Sequence, residues 1–379
     1  MSLNCQRELF DLPDDVHYLN CAYKAPFLRE VVTQGQTALR RQFHPFTYIV
    51  RDFFEPIEET KQLFARLINC DNPQRIALIP SASYGIATVT HNVKLDQSQN
   101  VVVAADQFPS NVYPWMRLCQ RDSAELKMIK RPVSGRWTDA IKEAINTYTR
   151  IVAVGNVHWT DGTLFDLKSI SIRAHDVGAL MIVDGTQSIG ALPFDVREIN
   201  PDAVICAGYK WLLAPYSISV AYYGKYFDDK LPIEENWMNR KESDDFRNLI
   251  NYQNVYRPYA YRFSAGQSSN FTLTPMLNAA LNQILEWKVE EIQHYTTSLT
   301  LPYIQQLQSA GFRTTPDEER VGHLFGIGIP NGVPLDRLQA RLIDAKVYVS
   351  LRGQNIRVSP HVYTRDEDLA ALLQVLKSF

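Results

Sequence analysis

The sequence predicts an α/β protein in which a mostly parallel β-sheet lies between two layers of helices. From Arg75 to Gly224 short apolar segments alternate with longer amphipathic ones, which is typical of parallel strands joined by crossover helices. Several of the short segments, such as "NVVVAAD" and "ALMIVD", are apolar at consecutive positions. Strands that are buried on both faces of a sheet have this pattern. A smaller α+β unit is predicted to follow.

Seven segments are predicted as strands of the main sheet. In chain order they are "RIALIP", "NVVVAAD", "LKMIKR", "RIVAVGNVHW", "ALMIVD", "AVICAG" and "ISVAYYG". The segment from Asp166 to Gly178 is predicted as a helix that ends at glycine, a residue suited to a helix C-terminus. A longer helix is predicted over "TLTPMLNAALNQILEWKVEEI", with Thr274 as N-cap and Pro275 at the first helical position.

The last eighty or so residues predict the small α+β unit. The strand "HLFGIGIP" is followed by the helix "PLDRLQARLIDA", the strands "VYVSLRG" and "NIRVSPHVY", and a final helix. That final helix is predicted to start with a capping box formed by Thr364 and Glu367. The chain of 379 residues suits one large and one smaller domain. We predict a segment 1–30 that joins the small domain, a large domain 31–285 and a small domain 286–379.

Composition and charge exclude several classes of partner. The chain is 45% apolar and 21% charged with a net charge of −2, and it has no basic stripe. We therefore predict no nucleic acid and no anionic membrane as partner. No apolar run approaches the roughly 18 residues that a membrane helix needs. The polar N-terminal residues and five scattered cysteines without metal spacing predict a cytoplasmic protein with reduced thiols and no metal site.

Lys210 is a single cation in the apolar segment "VICAGYKWLLAP". Either its stem lies along apolar surface with the ammonium in water, or its amine is held neutral and nucleophilic in a dry pocket. Asp184 ends the strand "ALMIVD", and Lys210 follows the strand "AVICAG". Ligands bind at the carboxyl ends of parallel strands, so both side chains are expected in one cleft. The carboxylate there either caps the following turn or faces a cationic ligand atom.

A lysine and an aspartate at opposite ends of one small ring suit pyridoxal 5′-phosphate. The lysine would bond to the cofactor aldehyde and the aspartate would face the pyridine nitrogen. Two charges about 4 Å apart gain about 4 kcal/mol at an effective dielectric near 20, which would raise the pKa of the ring nitrogen by about 3. "SAS", Ser81 to Ser83, opens a predicted helix and offers backbone N–H groups to the phosphate, although Ser81 also suits a simple cap. Phe108 follows the next strand and either stacks on the ring or lies in the core.

These residues resemble a known signature when they are read together. The run from "VDGTQ" to "GYK" resembles that of the class V aminotransferase, or cysteine desulfurase-like, family of fold-type I pyridoxal-phosphate enzymes. The matching residues are Asp184, Gln187, Gly190, Pro193, Asp195, Asp202 and Lys210. The Phe-Pro run at Phe108 and the "GYK" ending look like kynureninase, and "PSN" is similar to isopenicillin N epimerase-like proteins. The ending "IRVSPHVYTRDEDLAALL" resembles the small domain of these families.

The resemblance implies a role for each site residue, in a fold-type I homodimer with a seven-stranded sheet. Lys210 would carry the cofactor, Asp184 would pair with the pyridinium, and Gln187 would bond near the ring hydroxyl. Ala82 and Ser83 would bind the phosphate, helped by the Tyr209 hydroxyl. Phe108 would stack on the ring and His158 would line it. Arg357 would bind the substrate α-carboxylate, the alternative being an ion pair with an acid of the large domain. The segment 264–270 would reach the partner subunit's phosphate.

The predicted function is an enzyme that acts at the α-carbon of an amino acid or keto acid. We expect an aminotransferase, with an epimerase or lyase as alternatives, and we weigh a non-catalytic protein of the same fold against them. Desulfurase activity is not expected, because no cysteine follows Cys206. Kynureninases have Asp in place of Asn111, so the kynureninase substrate is not expected either. A nicotinamide-dependent oxidoreductase would need a glycine-rich turn, which "IPSASYGIA" is not. The candidates for the substrate side are Tyr23, Lys24, His158, Trp159 and Arg262.

Overall fold

The computed structural model describes residues 3–133, 135–329 and 332–379. The strands are β1 (His17–Tyr18), β2 (Ile76–Ile79), β3 (Asn100–Ala104), β4 (Glu125–Ile129), β5 (Thr149–Gly155), β6 (Leu180–Asp184), β7 (Ala203–Ala207), β8 (Ser219–Tyr223), β9 (Phe325–Gly328), β10 (Val347–Tyr348), β11 (Ser350–Arg352) and β12 (Asn355–Val358). The helices are α1 (Arg29–Arg41), α2 (Glu55–Leu67), α3 (Ala82–His91), α4 (Tyr113–Asp122), α5 (Trp137–Ala144), α6 (Leu167–Asp176), α7 (Val196–Ile199), α8 (Leu273–Trp287), α9 (Val289–Ser309), α10 (Leu335–Asp344) and α11 (Asp366–Leu376). Within these ranges no helix is both long and apolar enough to cross a membrane.

The main sheet contains all seven predicted strands, in the order β2-β8-β7-β6-β5-β3-β4. Its pairs from β7 through β6, β5 and β3 to β4 are parallel. Only β8 runs against its two neighbours. The prediction of an α/β fold with a mostly parallel seven-stranded sheet is confirmed. Because β6 and β7 are neighbours, Asp184 pairs with Ile205, and the turns after the two strands lie at the same edge.

Helices cover the sheet on both faces, and this explains the continuous apolar strands. Along β3, Val101 and Val103 belong to one hydrophobic core, whereas Val102 and Ala104 belong to the other. Successive strand residues point to opposite faces, so a strand with a core on each side has no position for a polar side chain. These four side chains are all fully buried.

A smaller sheet and the N-terminal segment lie together. β11, β12 and β9 form an antiparallel sheet in that order. β1 pairs with β10 in parallel, and Asn20 bridges Ser359. The N-terminal segment is thus hydrogen-bonded to the C-terminal part of the chain. The domain limits 1–30, 31–285 and 286–379 stay predictions.

The long predicted helix starts at a different residue and is not continuous. α8 begins at Leu273 with Thr272 as N-cap, not with Thr274 as N-cap and Pro275 first, because the Asn270 side chain accepts from the N–H groups of Thr272 and Leu273 at 3.1 and 2.8 Å. The predicted long helix is also two helices, since Lys288 has a φ of +65° between α8 and α9.

The capping box predicted from Thr364 and Glu367 is shifted by one residue. α11 begins at Asp366, and the backbone N–H of Arg365 donates to the Asp368 carboxylate at 2.8 Å. Thr364 instead accepts from the backbone N–H of His361 at 3.0 Å. The helix from Asp166 to Gly178 forms as predicted, with Asp166 as N-cap.

Candidate active site

A cavity of about 400 Å³ opens at the carboxyl edge of the main sheet, beyond the ends of β3, β5, β6 and β7. This volume is ordinary for a small-molecule site. Eight of the nine predicted site residues line it: Ala82, Ser83, Phe108, His158, Asp184, Gln187, Tyr209 and Lys210. The topology therefore brings together residues from five separate segments of the chain. Arg357 is not among the lining residues.

Lys210 projects into this cavity from the turn after β7. The residue is 5% exposed, and its amine has no hydrogen-bond partner among the described residues. The nitrogen lies 5.3 Å from the centre of the Phe108 ring. The pKa of the amine is lowered to about 8, first by burial and then by the positive charge of Arg357, while Asp184 opposes both. A snorkelling lysine would be exposed and would have an ordinary pKa, so Lys210 is the dry, partly neutral amine.

Asp184 caps a turn and still presents an oxygen to the cavity. Its Oδ1 accepts from the backbone N–H of Thr186 at 3.0 Å. Oδ2 has no donor from the part of the chain that the structure describes. The two alternatives from the sequence are therefore compatible, because one oxygen holds the turn and the other can face a cationic atom. The neighbouring Thr186 hydroxyl accepts from Ala207 N–H at 3.1 Å, which ties the ends of β6 and β7 together.

The first turn of α3 faces the same cavity. Ser81 is its N-cap, with Oγ accepting from the Tyr84 N–H at 3.2 Å. The N–H groups of Ala82 and Ser83 have no acceptor among the described residues. Free N–H groups at the positive end of a helix bind phosphate well. Ser81 is therefore the helix cap, which was the simpler of the two alternatives. The cap leaves the N–H groups of Ala82 and Ser83 as two donors for an anion.

The walls of the cavity are held by hydrogen bonds and ring contacts. Gln187 donates to Ala22 O at 3.3 Å and accepts from Trp211 Nε1 at 2.9 Å. The ring nitrogens of His158 lie 2.8 Å from Thr160 Oγ1 and 3.2 Å from Ala105 O, so both are engaged. Tyr209 packs on the Tyr216 ring, with centroids 4.6 Å apart, and burial raises the pKa of its hydroxyl.

Arg357 lies on β12 just beyond the cavity and is 1% exposed. Its Nη1 donates to Trp159 O at 3.0 Å and its Nη2 to Ser350 Oγ at 3.3 Å. Nε is buried without a partner in the part of the chain that the structure describes. Burial and the charge of Arg352 lower the pKa of Arg357 to about 9. The alternative of an ion pair with an acid of the large domain is wrong within the described residues.

The other candidates for the substrate side separate into two groups. His158 and Trp159 line the cavity. Lys24 is exposed, and Tyr23 lines a different groove together with Arg352. The prediction that Arg262 lines the substrate side is wrong, because Arg262 is not among the residues that line the cavity. Its side chain instead donates to Lys230 O at 3.3 Å.

Sequence reasoning missed Gln107, which also lines the cavity. Its side chain donates to Ala153 O and accepts from Gly155 N–H, both at 3.1 Å, and thereby holds the end of β5. An amide side chain directly after the strand "NVVVAAD" was the available signal.

The groups in the cavity fit pyridoxal 5′-phosphate. An unpartnered amine can bond to its aldehyde, a free carboxylate oxygen can face its ring nitrogen, and two free N–H groups can hold its phosphate. Phe108 lines the cavity beside the amine. The fold and these groups define an α/β protein with a site for this cofactor.

Comparisons with known proteins give the family. The family described as Aminotransferase class-V matches residues 28–371, and the chain belongs to this family. A probable cysteine desulfurase of Methanothermobacter thermautotrophicus is 32% identical over 344 residues, which cover 85% of this chain and 83% of that protein. An uncharacterized aminotransferase of Schizosaccharomyces pombe is 24% identical over 329 residues, 84% of this chain and 81% of the relative.

Solved structures agree with the fold. A variant of C-DES with glycine covalently linked to its PLP cofactor superposes with a TM-score of 0.89 at 16% identity, over 99% of both chains. The apo cysteine desulfurase of Thermococcus onnurineus gives a TM-score of 0.86 at 19% identity, over 100% of this chain and 98% of the other. These comparisons confirm the resemblance to the class V family that the sequence indicated. They also confirm fold type I and pyridoxal phosphate as the cofactor.

Proposed function

We propose that this chain is an amino acid aminotransferase. The bound cofactor supplies an acceptor for the electrons released when a bond at the substrate α-carbon breaks. The observation that carries the proposal is the Lys210 amine, which is buried, has a pKa of about 8 and lacks a hydrogen-bond partner in the described chain. An amine near neutrality can both take and return a proton at pH 7.

Lys210 is the proton carrier of the proposed transamination. Lys210 would take a proton from the substrate α-carbon and return it, so it would serve as acid and base in turn. His158 lines the cavity as well, but both of its nitrogens are engaged. In the overall reaction an amino acid and a keto acid would exchange their amino and oxo groups.

The remaining residues would position the cofactor. We assign Asp184 to the ring nitrogen, and the Ala82 and Ser83 N–H groups with the Tyr209 hydroxyl to the phosphate. Gln187, which Trp211 holds in place, would bond near the ring hydroxyl. Phe108 would stack on one face of the ring, and His158 would line it. The free Oδ2 of Asp184 and the free N–H groups at the start of α3 support these assignments.

Arg357 would bind the substrate α-carboxylate. It is buried with an unsatisfied Nε and no acidic partner among the described residues. A guanidinium in such a place gains most from a bidentate carboxylate. Its two present acceptors, Trp159 O and Ser350 Oγ, fix the direction of the fork.

A lyase that acts on a thiol-containing amino acid is the second candidate, because the 32% identical relative is named a probable cysteine desulfurase. Two thiols lie near Lys210, those of Cys21 and Cys206, and both residues are fully buried. Burial raises the pKa of Cys21 to about 12 and that of Cys206 well above its usual value. Neither suits a thiolate that accepts sulfur, and no cysteine follows Cys206. An epimerase would use Lys210 in the same way.

One experiment separates these functions. The purified protein with bound cofactor is incubated with a panel of L-amino acids, with and without a keto acid acceptor, while cofactor spectra and product masses are followed. An aminotransferase gives the keto acid and the amine form of the cofactor, and Lys210→Ala gives neither. Formation of sulfide or pyruvate from cysteine would identify a lyase. Formation of D-amino acids from the L-amino acids would identify an epimerase. An absence of product from the whole panel would refute the proposal.

We further propose a homodimer in the cytoplasm. Phe46 is 81% exposed and Tyr252 is 95% exposed. Between the parts of the chain that carry them, Phe53 makes ring contacts with Trp237 and Phe246 at centroid distances of 6.1 and 5.3 Å. Exposed aromatic side chains of this kind suit an interaction surface. The five cysteines form no disulfide, which suits a reducing compartment. Light scattering would measure the mass in solution.

A further inference from the structure

One face of the small sheet carries four polar side chains. β11 and β12 are antiparallel, with Ser350 opposite Arg357. Residues two apart on a strand share a face, as do residues that pair across strands. Ser350, Arg352, Asn355 and Arg357 therefore lie on the same face. The other face carries Ile356 and Val358, which belong to the buried core of the small unit.

Both guanidinium groups lie against Trp159, which itself lines the cavity. The guanidinium carbon is 5.4 Å from the Trp159 ring centre in Arg352 and 5.9 Å in Arg357. Arg352 donates only to Leu351 O, at 2.9 Å, among the described residues. Nε of Arg352, like that of Arg357, is buried and unsatisfied. Both arginines thus lie beside one indole ring, and each has a buried Nε without a partner among the described residues.

The charges around Trp159 are not balanced. Asp184 is the acid that acts on Lys210, whereas the positive charge of Arg352 lowers the pKa of both Lys210 and Arg357. Neither arginine forms an ion pair with an acid within residues 3–133, 135–329 and 332–379. Burial of like charges without a counter-ion is unfavourable. A ligand with two anionic groups would neutralise both.

We propose that Arg352 binds a second anionic group of the substrate, so that the enzyme prefers amino acids with an acidic side chain. The inference rests on the proposed function, in which Arg357 binds the α-carboxylate. Diagonal neighbours on paired strands are roughly 7–8 Å apart, and both guanidinium groups meet at one indole. This arrangement suits two carboxylates separated by two or three carbon atoms, as in aspartate or glutamate. A neutral side chain would leave Arg352 without a counter-ion.

The test compares substrates that differ only in this charge. Glutamate with glutamine, and aspartate with asparagine, are supplied to the enzyme with bound cofactor, and kcat/KM is measured for each. We expect the acid to be preferred by at least about tenfold. Arg352→Gln should lower kcat/KM for the acid about 10- to 100-fold and leave that for the amide within about twofold. Arg352→Lys should restore part of the preference, because it keeps the charge without the fork.

A control variant and a binding measurement complete the test. Arg337→Gln alters an exposed arginine of α10 that lies on the Phe379 ring, and it should leave the preference unchanged. Binding of the unreactive pair glutarate and butyrate, followed by the cofactor spectrum, gives a readout without turnover. Glutarate should bind at least about tenfold more tightly in the wild type and lose this advantage in Arg352→Gln.

Several results would overturn the inference. Equal kcat/KM for acid and amide would do so, as would an equal loss for both in Arg352→Gln. If Arg352→Gln changed only the association of the subunits and not the substrate preference, Arg352 would pair with an acid of the partner subunit and the inference would fail. If amides react as well as acids, the inference fails and the proposed aminotransferase stands. If nothing reacts but glutarate binding depends on Arg352, the proposed function fails and the two-anion site stands.

Discussion

Replacement of Lys210 by methionine should make the cofactor-free protein more stable at neutral pH. Lysine and methionine are similar in length, so the variant keeps most of the packing and removes the charge. Lys210 is 5% exposed and its pKa is lowered to about 8, first by burial and then by Arg357. The folded protein therefore pays a free-energy penalty whenever this amine carries a proton.

The size and the pH dependence of this penalty follow from the pKa values. The ordinary pKa is 10.5 and the folded one about 8, and a difference of about 2.5 corresponds to about 3 kcal/mol. Between pH 8 and 10.5 the unfolded chain binds more protons than the folded one, so stability rises with pH there. The penalty is fully present below pH 8 and disappears as the pH rises through 10.5.

Urea unfolding of the cofactor-free protein measures the effect. The variant should be more stable than the wild type by about 3 kcal/mol at pH 7, and the gap should shrink as the pH approaches 10.5. Lys225→Met, at an exposed position, controls for the general effect of losing a lysine. A gap that does not change with pH would come from packing alone. A Lys210→Met variant less stable than the wild type at pH 7 would refute the reasoning.

Three further predictions concern the same region. Asp184→Asn keeps an acceptor for the Thr186 N–H but removes the charge, so turnover should fall about 100- to 1,000-fold with cofactor still bound; unchanged kcat would contradict this. The rate at which cofactor-free protein captures pyridoxal phosphate should rise with pH up to about 8 and then level off, as neutral Lys210 accumulates; a flat profile would be inconsistent. Gly190→Ala should destabilise the fold by roughly 2–4 kcal/mol, because φ is +102° and a Cβ would lie 2.3 Å from Trp211 O; thermal unfolding within one degree of the wild type would be the contrary result.

The main sheet could be predicted from sequence because its burial is so complete. A strand with a core on both sides, such as β3, is apolar at consecutive positions from Val101 to Ala104, and turn residues mark both of its ends. The spatial order of the strands could not be obtained in this way, since β8 inserts between β2 and β7 through contacts distant in sequence. The break between α8 and α9 could not be predicted from the sequence either. Lys288 adopts a left-handed φ without glycine or proline to indicate it.

The cofactor end of the site was more predictable than the substrate end. Lys210, Asp184 and the start of α3 follow strands directly, and the carboxyl ends of parallel strands share one edge. Arg262 was misplaced because its segment has no clear period. Arg352, which we propose as a substrate-binding residue, was not among the candidates, although Ser350 and Arg352 alternate with Leu351 on β11 and so predict a polar face. What that face meets depends on how the small sheet packs on the main one.

This division has a chemical consequence. In the proposed site the main sheet would supply the groups for the cofactor, whereas β11 and β12 would supply Arg352 and Arg357 for the substrate. The two sets meet at Trp159, whose carbonyl accepts from Arg357 and whose ring lies beside both guanidinium groups. Which bond of the α-carbon breaks depends on its angle to the cofactor ring, and a carboxylate bound by Arg357 would fix that angle. Reaction choice within one family can therefore change through the small sheet while the lysine and aspartate stay in place.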